Sequence, residues 1–236
     1  MNPFLSNKEI ARAFNALGKI MELHGENPFK IRSYYSAYNT LRKWPVPLAE
    51  LNIGELNEIK GIGKAISSKI IELVETGEMA AYKKYEDITP PGIIHLLQLK
   101  GVGPKKIKQL WKELGIESAG ELLYACNENR LIELKGFGSK TQENLKAQLE
   151  YFIRSSGKFL YARVIDHAEE ICRILSGAFP DHQFRIVGKL AMNYPVVEMI
   201  ELLTSGKTTD IRNHLLSLHH EINSENEKLL FRDIPL

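Results

Sequence analysis

Apolar residues recur at helical spacing through most of the first 157 residues, and the pattern becomes mixed beyond that point. At three places a short apolar stretch leads to a pair of glycines, and a longer amphipathic stretch follows them. This arrangement predicts pairs of helices joined by tight turns, and an almost all-helical structure as far as residue 157. Around the first glycine pair, the apolar positions are Leu51, Leu56 and Ile59 before it and Ile66, Ile70 and Leu73 after it. Around the second pair, they are Ile94, Leu96 and Leu99 before it and Ile107, Leu110 and Trp111 after it. Around the third pair, they are Leu131 and Leu134 before it and Leu145, Leu149 and Phe152 after it.

The remaining residues predict a smaller, mixed part. We expect a helix around Ala162 to Ser176, two or three strands that begin near Phe184, and another helix from Thr209 or Asp210 to Glu221. The predicted fold class is therefore mainly α with a small α+β carboxyl-terminal part.

The glycine pairs belong to a repeated hexapeptide, which reads EIKGIG at 58–63, QLKGVG at 98–103 and ELKGFG at 133–138. The first glycine of each pair allows a backbone conformation that other residues avoid, and the second leaves room for a ligand to approach the backbone. The apolar residues between the glycines, Ile62, Val102 and Phe137, are expected to pack between the two helices of each pair.

The start of each second helix is the candidate binding site. Unbonded backbone N–H groups and the positive end of the helix dipole face outward there, which suits a phosphate group. A single Gly-X-Gly between helices is also compatible with a plain helix cap, but three copies that each follow a lysine favour the binding interpretation. The candidate residues are Lys60, Gly61, Gly63 and Lys64 at the first turn, Lys100, Gly101, Gly103, Lys105 and Lys106 at the second, and Lys135, Gly136, Gly138 and Lys140 at the third.

Charge is distributed unevenly along the chain. Residues 1–158 contain 23 Lys and Arg against 18 Asp and Glu, whereas residues 159–236 contain 8 against 11. The basic part coincides with the three repeats, although most surface charge only solvates a protein, so the placement of the lysines carries the argument.

Other classes of protein are disfavoured. The apolar runs are shorter than a membrane span needs and the first residues do not resemble a signal peptide, so we expect a cytoplasmic protein without membrane contact. The two cysteines, Cys126 and Cys172, belong to no CxxC or Cys/His cluster, so neither a disulfide framework nor a zinc site is expected.

The repeats resemble the helix-hairpin-helix motif of DNA repair and replication proteins. The resemblance implies sequence-independent binding of DNA phosphates, and often a monovalent cation held by carbonyl oxygens of the turn.

Residues 24–45, HGENPFKIRSYYSAYNTLRKWP, alternate basic and aromatic residues on a helix opened by Asn27 and Pro28. This segment, followed by the hairpin and ELVETGEM and then by KGVGPKKIKQLWKELGI, resembles the amino-terminal half of a bacterial-type family X DNA polymerase. The resemblance implies a small lyase-like domain over 1–80 that binds the 5'-phosphate side of a gap, and a fingers-like domain over 81–157 with the second and third hairpins. The partner is then gapped, nicked or 5'-phosphorylated DNA, bound by a monomer.

Better-studied family members remove a 5'-deoxyribose phosphate through a Schiff-base lysine, whose position is Lys69 here. Lys69 borders the apolar face of its helix, where partial desolvation favours a neutral, nucleophilic amine, but the simpler interpretation is that its stem covers the edge of the core while its ammonium group reaches water. The resemblance also places Lys30 and Tyr34 near the 5'-phosphate. A second family lysine is replaced by Ala65, which weakens the lyase interpretation.

Residues 158–236 resemble a partial, degenerate polymerase palm of the nucleotidyltransferase type. Gly188 matches the family's Gly-Ser pair, but Lys189 replaces the serine, and Met199 and Glu201 occupy the two aspartate positions that hold Mg2+. Because methionine does not ligate a hard cation, we expect the Mg2+ site and the polymerase reaction to be lost.

Three alternatives stay open at this point. The chain is either a natural homologue with an inactive polymerase centre or a fragment of a longer polymerase that lacks the third aspartate and the family's phosphoesterase domain, since KLLFRDIPL resembles the strand before that aspartate. It is either an active lyase or only a DNA-binding protein. The hairpins alternatively form a scaffold for protein interaction.

The pair His219 and His220 is not expected to bind a metal, because neighbouring side chains diverge on a helix.

Overall fold

The computed structural model describes residues 5–218, 222–225, 228–231 and 234–236. The chain forms two compact units, Met1–Arg154 and Ser155–Leu236. We call them the amino-terminal unit and the carboxyl-terminal unit.

The described part of the amino-terminal unit is helical, as predicted. One turn of 3-10 helix, Leu48–Glu50, precedes the first hairpin. The α-helices are α1 Asn7–His24, α2 Pro28–Leu41, α3 Ile53–Glu58, α4 Lys64–Thr76, α5 Ala80–Glu86, α6 Pro91–Leu96, α7 Pro104–Leu114, α8 Ala119–Asn127 and α9 Ser139–Ser155.

Helices α1 and α2 form an antiparallel pair whose ends are fixed by local sequence. A capping box between Ser6 and Glu9 starts α1, and Gly25 ends it in the left-handed conformation. The side chain of Asn27 then caps α2. The pair packs closely, because a Cβ atom on Gly18 would lie only 2.9 Å from the ring of Tyr35.

One hydrophobic core extends through the amino-terminal unit from Ile10 to Leu149. It contains the three residues between the glycines, since Ile62, Val102 and Phe137 are only 3%, 8% and 1% exposed. Their predicted burial is confirmed. Helix α1 also contacts α5 and α7, so the core continues across residue 80. The predicted functional division into 1–80 and 81–157 stays a prediction.

The carboxyl-terminal unit combines helices with short antiparallel strands. Strand β1 pairs with β3, β2 pairs with β4, and β5, β6 and β7 form a sheet in that order. The elements are β1 Phe159–Leu160, α10 Tyr161–Ala178, β2 Phe184–Val187, α11 Gly188–Ala191, β3 Val196–Val197, β4 Glu201–Thr204, α12 Thr208–Ser217, β5 Ile222–Glu225, β6 Lys228–Phe231 and β7 Ile234–Pro235.

The sequence predicts part of this unit correctly. The helix over Ala162–Ser176 and the strand that begins at Phe184 are confirmed, and the fold class is mainly α with a small strand-containing end. The prediction of two or three strands after this helix is confirmed, because β2, β3 and β4 lie between Phe184 and α12, and the sheet of β5, β6 and β7 follows α12. The last predicted helix ends at Ser217, and residues 219–221, which include His219 and His220, lie outside the described residues. None of the helices described is both long and apolar enough to cross a membrane.

Candidate nucleic-acid interface

The first glycine of each pair adopts the backbone conformation that the repeat predicts. The φ angles of Gly61, Gly101 and Gly136 are 89°, 79° and 90°, in the left-handed region that favours glycine. At the first turn the N–H of Ile62 donates to the carbonyl of Ile59 at 2.9 Å, and Phe137 and Leu134 make the equivalent bond at 3.0 Å. The same local turn thus closes the first and third copies.

The second glycine of each pair starts the following helix and leaves it open. Gly63 and Gly103 are the N-cap residues of α4 and α7, and neither has a side chain that could cap the first N–H groups. A Cβ atom added to Gly63, Gly103 or Gly138 would meet no atom within 4 Å. The backbone at these positions is therefore accessible to a ligand.

The three helix starts differ in the donors they offer. Lys64 and Ser139 each provide a backbone N–H in the first turn of their helices, whereas the second copy has Pro104 at this position. Proline suits the start of a helix but has no N–H. The second copy thus has one donor fewer for a phosphate than the first.

The third copy lacks the helix that the sequence predicts before its glycines. Residues 128–133 form hydrogen-bonded turns, because Asn129 has a φ of 56° and ends α8. The N–H of Arg130 then closes the end of α8 by donating to Ala125 at 3.0 Å. The prediction of a helix pair is therefore wrong for this copy. Leu131 and Leu134 alone do not define a helical face.

The second and third copies are packed against each other. The ammonium group of Lys106 lies over the ring of Phe137, and Gln148 of α9 packs against Gly101, with its Nε2 atom 3.1 Å from where a Cβ atom would be. Lys106 is partly buried, whereas Lys100 and Lys105 are exposed. The turn at Gly101 is consequently less open than the turn at Gly61, where an added Cβ atom would meet nothing within 4 Å.

Two hydrogen bonds that the sequence analysis missed hold the hairpins together. The hydroxyl of Ser67 donates to Asn57 at 2.8 Å, and the amide of Gln142 donates to Asn129 at 2.7 Å. Both donors are buried and lie four residues after the second glycine of their copies. The polar residue at this position in two of the three copies was the available signal. The second copy has Ile107 there.

The two predicted contacts on α2 have different surroundings. Lys30 is exposed and lies 3.8 Å from the carboxylate of Glu26, which accepts a hydrogen bond from Tyr85. Tyr34 is only 5% exposed, and its ring centre is 6.2 Å from that of Phe14. Burial, followed by the nearby charge of Glu26, raises the pKa of Tyr34. Lys30 is therefore the more accessible of the two.

Lys69 lies on α4 at the border between core and solvent. It is partly exposed, and Ile66 and Leu73, one turn before and one turn after it, are both 6% exposed. This is the position that the helical spacing predicts. Its role as a Schiff-base nucleophile stays a prediction.

The predicted palm positions lie at the ends of two paired strands. Strands β2 and β4 place Val187 opposite Glu201, and a Cβ atom on Gly188 would overlap the Glu201 carboxylate. Gly188 has a φ of 65°, which favours glycine. The side chain of Glu201 therefore occupies the space beside this turn.

The other two palm positions are on the surface. Lys189 lies 3.2 Å from the carboxylate of Glu198, a partner that the sequence analysis did not identify. Met199 precedes β4 and is 43% exposed. Among the described residues, no three His, Cys, Asp or Glu side chains are grouped to hold a metal ion. The loss of the Mg2+ site stays a prediction, made from the residue types.

Comparison with known proteins matches the helical segments that carry these turns. Residues 5–79 match a family described as "Helix-hairpin-helix domain", and residues 93–150 match a "SAM-like Helix-hairpin-helix tandem". The chain is 29% identical over 215 residues to the DNA polymerase/3'-5' exonuclease PolX of Bacillus subtilis (strain 168), covering 91% of this chain and 37% of that protein. It is 28% identical over 144 residues to DNA polymerase lambda of Arabidopsis thaliana, covering 61% of this chain and 26% of that protein. The match thus spans little more than a third of the length of the first relative and about a quarter of the second.

Proposed function

We propose, on the premise that the chain is a family X DNA polymerase-like protein, that its amino-terminal unit binds the phosphate backbone of DNA at gaps, nicks or 5'-phosphate ends. The open start of α4 at Gly63 carries this proposal. Lys60 and Lys64 are exposed on either side of the turn, and the first N–H groups of α4 have no side-chain cap. A phosphate is the ligand that such a helix start with two cations fits.

The turns are unequal in this function. The first hairpin contributes most, because its glycines are open and Lys64 keeps its N–H. The second contributes through Lys100 and Lys105, since Pro104 removes a donor and Lys106 packs on Phe137. The third mainly supports the second. A monovalent cation at the turn carbonyls, as the family resemblance implies, would add to the binding of phosphate.

We further propose that this chain does not carry out the polymerase reaction. Two metal ions activate the primer hydroxyl and neutralise the triphosphate in that reaction, and carboxylates must hold them. Met199 offers a thioether, which magnesium does not bind, and the ammonium of Lys189 brings a positive charge to the neighbouring turn. A fragment of an active polymerase would require a different pair of residues at 199 and 201.

A second candidate activity is 5'-deoxyribose phosphate lyase with Lys69 as nucleophile. The observation that favours it is the position of Lys69 beside Ile66 and Leu73, at the edge of the core. If the hairpins instead formed a scaffold for protein interaction, exposed apolar residues would be expected beside the turns. Lysines occupy those places in this chain.

The proposal is tested by fluorescence titration of gapped, nicked and intact duplex over a series of salt concentrations. Binding of phosphates releases counterions, so log K should fall linearly with log salt, by about 0.9 for each phosphate contacted. Tighter binding of the gapped and nicked duplexes is expected. A salt-independent affinity, or a Kd weaker than roughly 100 μM at low salt, would exclude phosphate binding by these turns.

A further inference from the structure

A strongly basic pocket lies between the start of α1 and the end of α2, apart from the residues of the hairpins. It is open to solvent and has a volume of about 340 Å³. Four of its five lining residues are cationic: Lys8, Arg12, Tyr38, Arg42 and Lys43. In the described part of the chain, none of these four cations lies within 4.0 Å of a carboxylate oxygen.

The side chain of Asn7 holds the two walls of this pocket together. Its amide donates to the carbonyls of Trp44 at 2.9 Å and Val46 at 2.8 Å, and its oxygen accepts from the N–H of Leu48 at 2.8 Å. The segment after α2 is thereby fixed to the first turn of α1. Residues that are thirty or more positions apart in sequence consequently face one pocket before any ligand arrives.

The charge of the pocket is not neutralised by the nearest acidic residue in sequence. Glu9 lies between Lys8 and Arg12, but its carboxylate accepts from the backbone N–H of Ser6 at 2.8 Å and from its hydroxyl at 2.6 Å. It is thus committed to the capping box of α1. Like charges held together without a counter-charge repel, and a bound anion relieves that repulsion.

The aromatic residue distinguishes this pocket from a site for a bare anion. The guanidinium carbon of Arg42 lies 5.2 Å from the centre of the Tyr38 ring, and its Nη1 donates to the tyrosine hydroxyl at 3.4 Å. A guanidinium group held on an aromatic ring offers a flat cationic surface on which an unpaired base can stack. Inorganic phosphate has no ring that could stack on this surface.

We propose that this pocket binds unpaired nucleotides of a single nucleic-acid strand. Lys8, Arg12 and Lys43 contact its phosphates, and a base stacks on Arg42 and Tyr38. The site does not depend on the hairpins, which are proposed to contact the backbone of duplex DNA. It gives the amino-terminal unit a separate place for a strand that has lost its partner.

The test uses the full chain and a short fluorescein-labelled oligothymidylate. The double variant Arg12→Gln, Arg42→Gln is compared with Arg173→Gln, Arg185→Gln, which removes two exposed arginines from the carboxyl-terminal unit. Binding should weaken about tenfold or more in the first variant, and the slope of log K against log salt should fall by about 0.7, because Arg12 is the one of the two arginines that contacts a phosphate of the single strand. Tyr38→Leu should also weaken binding about tenfold, through loss of stacking.

Binding of nicked duplex, which has no unpaired nucleotides, separates this proposal from the proposed function. The arginine double variant should bind nicked duplex nearly as well as the native protein, whereas Gly63→Ala should weaken duplex binding and retain oligothymidylate binding. Equal losses in the two double variants, or no loss in the first, would overturn the proposal.

Thymidine monophosphate and inorganic phosphate are used as unlabelled competitors. Displacement of the oligonucleotide by either at equal concentration would instead assign the pocket to a free anion and overturn the assignment to a strand.

Discussion

The ammonium nitrogen of Lys106 lies 4.9 Å from the centre of the Phe137 ring. Lys106 stands in the first turn of α7, just after the second glycine pair, and Phe137 lies between the glycines of the third. A cation over an aromatic ring is stabilised by the charge distribution of the ring. The contact therefore joins two copies of the repeat and directs one of the predicted phosphate-binding lysines towards the protein.

We expect Phe137→Leu to lower the free energy of unfolding by about 2 kcal/mol, because the ring is 1% exposed and the smaller side chain leaves part of its space unfilled. In a double-mutant cycle, Lys106→Met should couple to Phe137→Leu by about 0.5–1 kcal/mol. Urea denaturation measures both values. Lys105→Met is the matched control, since Lys105 is exposed, and it should show no coupling with Phe137→Leu.

The variant Gly63→Ala should weaken binding of gapped duplex at least tenfold and change stability by less than about 1 kcal/mol. Its φ of −100° is allowed for alanine, and the new methyl group would meet no protein atom within 4 Å, so it would occupy the space proposed for a phosphate. Gly120→Ala, also without neighbours, is the control for binding. Equal affinities of the two variants would show that no ligand contacts Gly63.

The first glycine of the same turn should behave in the opposite way. Gly61→Ala places a side chain at a φ of 89°, which costs about 1 kcal/mol or more of stability. Thermal unfolding of Gly61→Ala and Gly63→Ala separates the two effects. Similar melting temperatures would contradict the division of roles between the glycines.

If the lyase activity is present, borohydride should trap a covalent adduct between the protein and a 5'-deoxyribose phosphate end, because reduction fixes the Schiff base. Lys69→Ala should abolish the adduct, which is detected by gel electrophoresis and mass spectrometry. Lys158→Ala, which removes an exposed lysine outside the three turns, should retain it. An adduct of normal yield in Lys69→Ala would reject Lys69 as the nucleophile.

Stability should fall as the pH is lowered through the ordinary range of histidine, because His24 resists protonation in the folded state. Burial, then the charges of Lys108 and Lys112, lower its pKa from 6.5. The hydroxyl of Thr89 donates its proton to the carbonyl of Tyr85 at 2.5 Å. Because that proton is used, the hydroxyl accepts a hydrogen bond from Nε2 of His24, at 2.7 Å. A group whose folded pKa is depressed in this way binds more protons when unfolded, so stability is lost below about pH 6.5.

Urea denaturation at pH 8 and pH 5.5 tests this dependence. His24→Gln keeps a donor for Thr89 and has no group to titrate, so the difference in unfolding free energy between the two pH values should be smaller than in the native chain. His95→Gln is the control, because His95 is exposed. An unchanged difference in His24→Gln would assign the acid sensitivity to other residues.

The turns and the buried residues between the glycines could be predicted because each copy repeats the same short sequence around its Gly-X-Gly turn. The conformations of Gly61 and Gly136 depend on a few neighbouring residues, and the burial of Ile62 follows from its place between two amphipathic helices. The missing helix before the third turn was not predicted, because it depends on Asn129 ending α8 in the left-handed conformation. Asparagine tolerates that conformation without requiring it.

Contacts between distant segments were the other part that the sequence did not reveal. Gln148 reaches Gly101, and Lys106 reaches Phe137, only because α7 and α9 pack in one core. The basic pocket likewise needs Asn7 to bring Lys8 close to Lys43. Neither spacing nor composition encodes these distances. They follow from the tertiary packing of the helices.

The uninterrupted core between α1 and α9 has a mechanical consequence. Because the three turns belong to one packed core, the distances between them are fixed by that packing. A nucleic acid that engages more than one of them must itself supply the bend or twist that the spacing demands. A duplex with one broken strand bends at lower energetic cost than a continuous duplex, so the proposed preference for gapped or nicked DNA would arise because the DNA, and not the protein, changes shape.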